Sequence, residues 1–196
     1  MRVTCLRHGA TEANVVGRFN GADDPLTMPE RAYLSATRFD AAPYEAIHCS
    51  PDRRAVETAQ CLKLPRWTLE PRIVERRFGI FEGLTAAECA ARYPAEFARF
   101  RAFDADYAVP NGESRAENCA RVVAWLRDAA DRRHVLAITH GGTIDFLYRL
   151  SVGMALHGGD RIYSGGNATL AIFDVDWPNV RLVDFDAPLV SEARLR

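Results

Sequence analysis

Lysine is almost missing from this sequence. Lys63 is the only one, so 24 of the 25 Lys-plus-Arg residues are arginine. With arginine this frequent, a neighbouring guanidinium is weak evidence of chemistry, and each arginine has to be argued from its position. An excess of either charge is also lacking: 25 Lys plus Arg against 26 Asp plus Glu leaves a net charge of −1. No long-range field draws the chain to nucleic acid or anionic lipid, so neither is expected as a partner. No uninterrupted apolar run approaches the ~20 residues of a membrane helix. Arg7 and His8 arrive too early for the apolar stretch of a signal peptide, so neither secretion nor membrane insertion is expected. There is no Cys-x-x-Cys, no His-Glu-x-x-His and no histidine pair at short helical spacing, so neither a metal site nor a cofactor is expected. Cys5, Cys49, Cys61, Cys89 and Cys119 are odd in number and scattered among apolar neighbours. They read as reduced thiols of a cytoplasmic protein, not as a disulfide framework.

What is present fits one soluble domain covering 1–196: 196 residues, 48% of them hydrophobic and 26% charged, with no repeat, linker or low-complexity segment. Arg2 to Leu6 reads as a short strand, followed by a Gly-, Asn- and Asp-rich loop that closes at Asp24-Pro25. A helix is expected from about Glu30 to Asp40, and a strand over Ala46–Cys49. Ser50-Pro51 reads as N-cap and first position of a helix to about Leu62. Thr68–Val74 reads as extended, Ala86 to Phe103 as helical with a break at Pro94, and Ser114–Arg132 as an amphipathic helix after the turn Pro110-Asn111-Gly112. His134–Thr139 is a buried strand, Gly142 to about Val152 a helix, and Ala168–Val175 with Val180–Val183 a closing hairpin. Strand and helix alternate, which argues for an α/β fold with a mainly parallel sheet covered by helices.

Five histidines are present: His8, His48, His134, His140 and His157. His48 and His134 belong to strands and read as edge or packed side chains. His8 and His140 each follow the end of an apolar strand at a glycine, where parallel sheets bind ligands. The sequence carries its own controls, since Arg-His recurs at Arg133-His134 and His-Gly-Gly at His157-Gly158-Gly159. Only Arg7-His8-Gly9 and His140-Gly141-Gly142 follow strands. Arginine beside such a histidine, with Arg54 at a helix start, suits a phosphoryl group, because guanidinium presents forked donors to phosphate oxygens. For Arg54 taken alone, a surface ion pair is the plainer reading.

LRHGATEANVVGRFNGADDPLT at 6–27 resembles the opening of the histidine phosphatase superfamily, the phosphoglycerate mutase-like family, branch 1. The similarity continues in order through SPDRRAVETA, VERRFGIFEGLT, PNGES and AITHGGTIDFL, covering about 1–175. The resemblance implies a three-layer α/β/α fold. It implies His8 as the nucleophile on phosphorus, Arg7, Arg54 and His140 around the phosphoryl group, and Glu75 as proton donor. It also implies Asn14, Asn20 and Gly141 as phosphate or substrate contacts. Phosphoglycerate mutase activity and non-catalytic binding of a phospholigand or phosphoprotein are the alternatives. Hydrolysis is preferred over the mutase because the insertion that closes mutases to water is lacking, and over mere binding because both His8 and Glu75 are kept. Among hydrolases, SRAENCARV after PNGE is most similar to alpha-ribazole and broad-specificity phosphatases. The expected partner is a small phosphorylated substrate, and the expected assembly a monomer or homodimer. The segment 85–112, with Arg92, Arg99, Arg101 and several aromatics, is expected to cap the pocket. Glu82, Glu113 and Ser114 read as caps or exposed carboxylates in preference to groups supporting the site. Two departures from the family's pattern, TMPERA after Pro25-Leu26 and Gly166-Asn167, are expected to lie outside the phosphoryl pocket.

Overall fold

The computed structural model describes residues 1–155, 159–160, 162–163 and 165–189, so His157 lies outside the described residues. The elements are β1 (Arg2–Arg7), α1 (Glu12–Val16), α2 (Met28–Ala36), β2 (Ala46–Cys49), α3 (Arg53–Cys61) and β3 (Thr68–Leu69), then α4 (Ala86–Arg92), α5 (Pro94–Arg101), α6 (Arg115–Asp128), β4 (His134–Thr139), α7 (Gly141–Ser151), β5 (Thr169–Asp176) and β6 (Asn179–Pro188). The strand order is β3-β2-β4-β1-β5-β6. The first four strands are parallel and the closing hairpin β5–β6 runs antiparallel, in agreement with a mainly parallel sheet.

Alternation along the central strands explains the layers. In β1 and β4, Val3, Cys5, Val135 and Ala137 pack on one face with Trp125 and Val122 of α6 and Ile144 and Leu147 of α7. Leu6, Leu136 and Ile138 pack on the other with Leu34 of α2 and Ala55 and Ala59 of α3. Strands buried on both faces lack a polar side, which is why the interiors of RVTCLR and HVLAIT are near-continuous apolar runs, with Thr4 buried among them. A third cluster, Phe81, Cys89, Tyr107 and Val109 with Phe78, Phe97 and Phe100, lies over the loops and contains α4 and α5. Among the described residues no helix is long and apolar enough to cross a membrane.

Helix starts follow their caps. Thr85 with Glu88 and Ser114 with Glu117 form reciprocal capping boxes, so Ser114 is a cap, as expected. α2 starts at Met28, two residues before the expected Glu30, because Thr27 caps the Glu30 amide. The loop 8–25 contains an unexpected short helix, α1, whose Thr11/Asn14 capping box and left-handed Gly17 close five residues that bury no side chain. No apolar period could reveal such an element. The expected extended run 68–74 is strand only at Thr68–Leu69, and Pro71 opens a 3-10 turn to Ile73. α3 begins at Arg53 and not at Pro51. Asp52 occupies its N-cap position without making a capping bond, and Ser50 is likewise withdrawn from the helix. Both side chains are engaged elsewhere.

Candidate active site

Sheet register brings the site together. Arg7 of β1 pairs with Thr139 of β4, and Cys49 of β2 pairs with Ile138, so the next residues, His8, His140 and Ser50, leave three neighbouring strands at one level. The His8 and His140 rings lie 5.0 Å apart between centroids. Arg54, on the first turn of α3, reaches between them. The Arg54 Nε donates to His8 Nε2 at 3.2 Å, Nη2 to His140 Nδ1 at 3.1 Å and to Asp52 Oδ2 at 3.0 Å, and Nη1 to the Gly21 carbonyl at 2.6 Å.

These bonds fix the tautomers. His8 Nδ1 lies 2.7 Å from the Gly9 carbonyl, which can only accept, so the ring proton sits on Nδ1 and Nε2 keeps its lone pair. His140 Nδ1 accepts from Arg54, so its Nε2–H donates to Ser50 Oγ at 2.7 Å, with Asp52 Oδ2 at 3.4 Å. Burial, with Arg54 and then His8 close by, holds the His140 pKa well below the ordinary histidine value, and burial also depresses that of Arg54. Asp52 is itself only 1% exposed and answers this concentration of positive charge through ion pairs with Arg54 and with Arg77 at 2.9 Å.

A neutral buried His140 makes stability pH-dependent. Below about pH 6.5 the unfolded chain takes a proton that folded His140 refuses, so this contribution is present above that pH and is lost as pH falls. The limiting slope for one such group is about 1.4 kcal/mol per pH unit. Urea unfolding at pH 7 and pH 5.5 should show the drop, and His140→Gln should shrink it; an unchanged slope would remove His140 as a source. His48 and His134, also depressed mainly by burial, contribute in the same direction.

Glu75 stands on the far side of this cluster. Its Oε1 accepts from the Arg76 amide at 3.0 Å and its Oε2 from the Gly142 amide at 3.2 Å, in the first turn of α7, where amides lack helical partners. A Cβ on Gly142 would fall 2.2 Å from Oε1, so the second glycine of His-Gly-Gly is what lets the carboxylate approach. Gly141 is buried as the first residue of α7. Arg7 donates from Nη1 to the Gly165 carbonyl at 2.6 Å.

The asparagines divide. Asn14 Oδ1 accepts from the Thr11 amide at 3.1 Å, so its oxygen serves the α1 cap. Asn20 Oδ1 accepts from the Thr11 hydroxyl at 2.6 Å, which makes loop chemistry its observed task. Asn167 corrects an expectation: it does not lie outside the pocket. Its Nδ2 donates to the His8 carbonyl at 3.0 Å and sits 3.5 Å from His8 Nδ1, because Ala168 follows on to pair with β1 beyond Arg7. Asp52, Ser50 and Thr58, which accepts from the Gly9 amide at 3.0 Å, were not singled out as site residues; only their adjacency to Arg54 in SPDRRAVET marks them. His48 accepts from Trp125 Nε1 at 2.8 Å and His134 Nε2 pairs with Thr4 Oγ1 at 2.9 Å, the packed roles expected of both. Glu113 pairs with Arg121 at 2.7 Å, and Glu82 Oε1 accepts from the Phe78 amide at 3.0 Å.

A cavity of about 340 Å³ opens beside Glu75 and Gly142, lined by Arg76, Phe78 and Phe100 among others. Arg101 also lines it, whereas Arg99 lies over the Tyr107 ring at 4.1 Å. Two imidazoles and a buried guanidinium thus meet at the strand ends, and the Glu75 carboxylate lines the cavity beside them.

Comparison with known proteins adds four findings. The sequence profile of the histidine phosphatase superfamily (branch 1) matches residues 3–187. The Caenorhabditis elegans 6-phosphofructo-2-kinase/fructose-2,6-bisphosphatase is 36% identical over 68% of this chain, which spans only 30% of that longer protein. An adenosylcobalamin/alpha-ribazole phosphatase of Salmonella typhimurium is 30% identical, over 75% of this chain and 77% of its own. Among solved structures, a mycobacterial glucosyl-3-phosphoglycerate phosphatase in complex with VO3 superposes with a TM-score of 0.72 at 29% identity, covering 95% of this chain and 98% of its own.

Proposed function

This chain belongs to branch 1 of the histidine phosphatase superfamily, and from that premise we propose that it hydrolyses phosphomonoesters of small metabolites through a phosphohistidine on His8 Nε2. The observation that carries the reading is the His8 tautomer: Nδ1–H is committed to the Gly9 carbonyl, which leaves the Nε2 lone pair beside Arg54.

In the first half-reaction Nε2 attacks phosphorus and the ester P–O bond breaks. Glu75 gives its proton to the departing alkoxide. In the second, water attacks phosphorus, its proton passes to Glu75, and the P–N bond breaks to release phosphate. Arg7 and Arg54 stabilise the charge spread over the equatorial oxygens, the main service a protein gives phosphoryl transfer. His140 is neutral at rest, and a phosphoryl dianion beside it favours its protonated, donating form. The Asn14 amide and the α7 amides at Gly141 and Gly142 extend the same cradle, with Asn20 at its margin. The chain acts as one domain, with the segment 85–112 as the cap over the leaving-group side. All five cysteines are free, which suits a reducing cytoplasm. The relatives are named for different substrates, so family membership leaves the choice of ester to the cavity.

Phosphate release from a panel of alkyl and aryl phosphomonoesters between pH 5 and 8, with EDTA present, tests the reading. Turnover that persists under chelation is expected, since the positive charge around the phosphoryl oxygens is supplied by arginine. No release from any ester would overturn it.

A further inference from the structure

Resting on the phosphatase reading, we propose that the leaving alcohol of the preferred substrate carries a second anionic group, a carboxylate or a second phosphate, received by Arg76 and Asn118 in the cavity beside Glu75. The ester oxygen has to lie against Glu75 to receive its proton, so the rest of the alcohol occupies the chamber that begins there. At about 340 Å³ this chamber is at the small end of metabolite sites, which run from roughly 300 to 1,000 Å³.

Its charges do not cancel. Asp145 is ion-paired with Arg149 at 2.9 Å, and Asp160 with Arg101 at 2.6 Å. Asp145 also accepts from the Ile162 and Tyr163 amides at 2.7 and 2.8 Å, so this carboxylate is spent on holding the wall. Arg76 is different. Its guanidinium donates only to backbone carbonyls, Glu113 at 2.8 Å and Tyr107 at 3.1 Å, and forms no ion pair among the described residues. Phe78 and Phe100 hold it in place, their ring centroids 5.9 and 5.4 Å from its Cζ. Burial and then Arg115 lower its pKa, and the carboxylates of Glu113 and Glu75 nearby offset this only in part.

A second, independent group points the same way. Asn118 on α6 lines the cavity, is 6% exposed, and its Nδ2 has no hydrogen-bond partner among the described residues. An unmade bond to a buried amide is costly, and such a donor beside an under-compensated arginine is completed by an anion's oxygens.

Matched esters test this. 3-Phosphoglycerate and glycerol 3-phosphate differ in a carboxylate against a hydroxymethyl group. 1,3-Propanediol bisphosphate and 3-hydroxypropyl phosphate do the same for a second phosphate. The kcat/KM of the anionic member over its neutral partner should be about tenfold or more in at least one pair, and the pair that shows it tells carboxylate from phosphate. In Arg76→Met that ratio should fall about tenfold, and Arg76→Lys should restore part of it. Asn118→Asp, of nearly the same shape and set on α6 outside the Arg76 loop, guards against misfolding of the Arg76 variants; its added negative charge should push the ratio down. p-Nitrophenyl phosphate keeps two failures apart. If it is hydrolysed while both ratios stay near one, the second-anion proposal is wrong and the phosphatase reading stands. If no ester is hydrolysed, both fall.

Discussion

His8→Ala should lower turnover of every phosphomonoester by about 10⁴-fold or more, with the fold intact. The size follows from what the imidazole alone supplies. Arg54 keeps its other partners, the Gly21 carbonyl, Asp52 and His140, so the phosphate cradle survives loss of the ring. What disappears is the lone pair on Nε2, which at rest accepts the Arg54 Nε–H; the other imidazole of the cluster, His140, accepts from Arg54 at Nδ1 and donates from Nε2 to Ser50. Steady-state release with wild type and variant, alongside inorganic phosphate binding by calorimetry, separates the two contributions. Turnover should vanish while phosphate binding stays within about an order of magnitude. Wild type given labelled substrate and quenched in alkaline detergent should hold an acid-labile, alkali-stable phosphoramidate, absent in the variant. Activity retained by His8→Ala would replace the covalent route with direct attack by water.

The chemistry of this site was written in the sequence more clearly than its support. His8 and His140 could be picked from five histidines because each follows an apolar strand at a glycine, and parallel register then sets them side by side. The same logic dismissed His48 and His134 correctly. Asp52 carries no distinguishing signal in the sequence because it sits where a helix cap belongs, whereas its carboxylate leaves the cap unmade and pairs with Arg54 and Arg77. The place of Asn167 is hidden from the sequence for a related reason. It lies 159 residues from His8, and the antiparallel return of β5 against β1, which a local pattern cannot report, carries it to the His8 carbonyl. The oxygens of Asn14 and Asn20 answer the Thr11 side chain and backbone, and Asn14 Oδ1 also accepts from Asn167 at 3.3 Å, local bonds that the sequence does not distinguish from phosphate recognition. α1 itself went unseen because it buries nothing.

Glu75→Gln should separate substrates by their leaving groups. Alkyl phosphates, whose alkoxides need a proton as they depart, should lose about 10²–10⁴-fold in kcat/KM, the usual worth of a general acid. p-Nitrophenyl phosphate, whose leaving group is stable as an anion, should lose at least about tenfold less. The geometry offers an independent route to the same result. Both carboxylate oxygens accept backbone amides, Arg76 on one side and Gly142 on the other, so main-chain donors help to position Glu75. Gly142→Ala keeps the carboxylate chemistry but sets a methyl group 2.2 Å from where Oε1 lies, which has to push it off its mark. That variant should reproduce the leaving-group dependence of Glu75→Gln in weaker form, although the two substitutions share no chemical change. Equal losses on alkyl and aryl esters in Glu75→Gln would take the proton-donor role away from Glu75. Divergence of the two variants would mean that the glycine serves helix packing instead of the carboxylate.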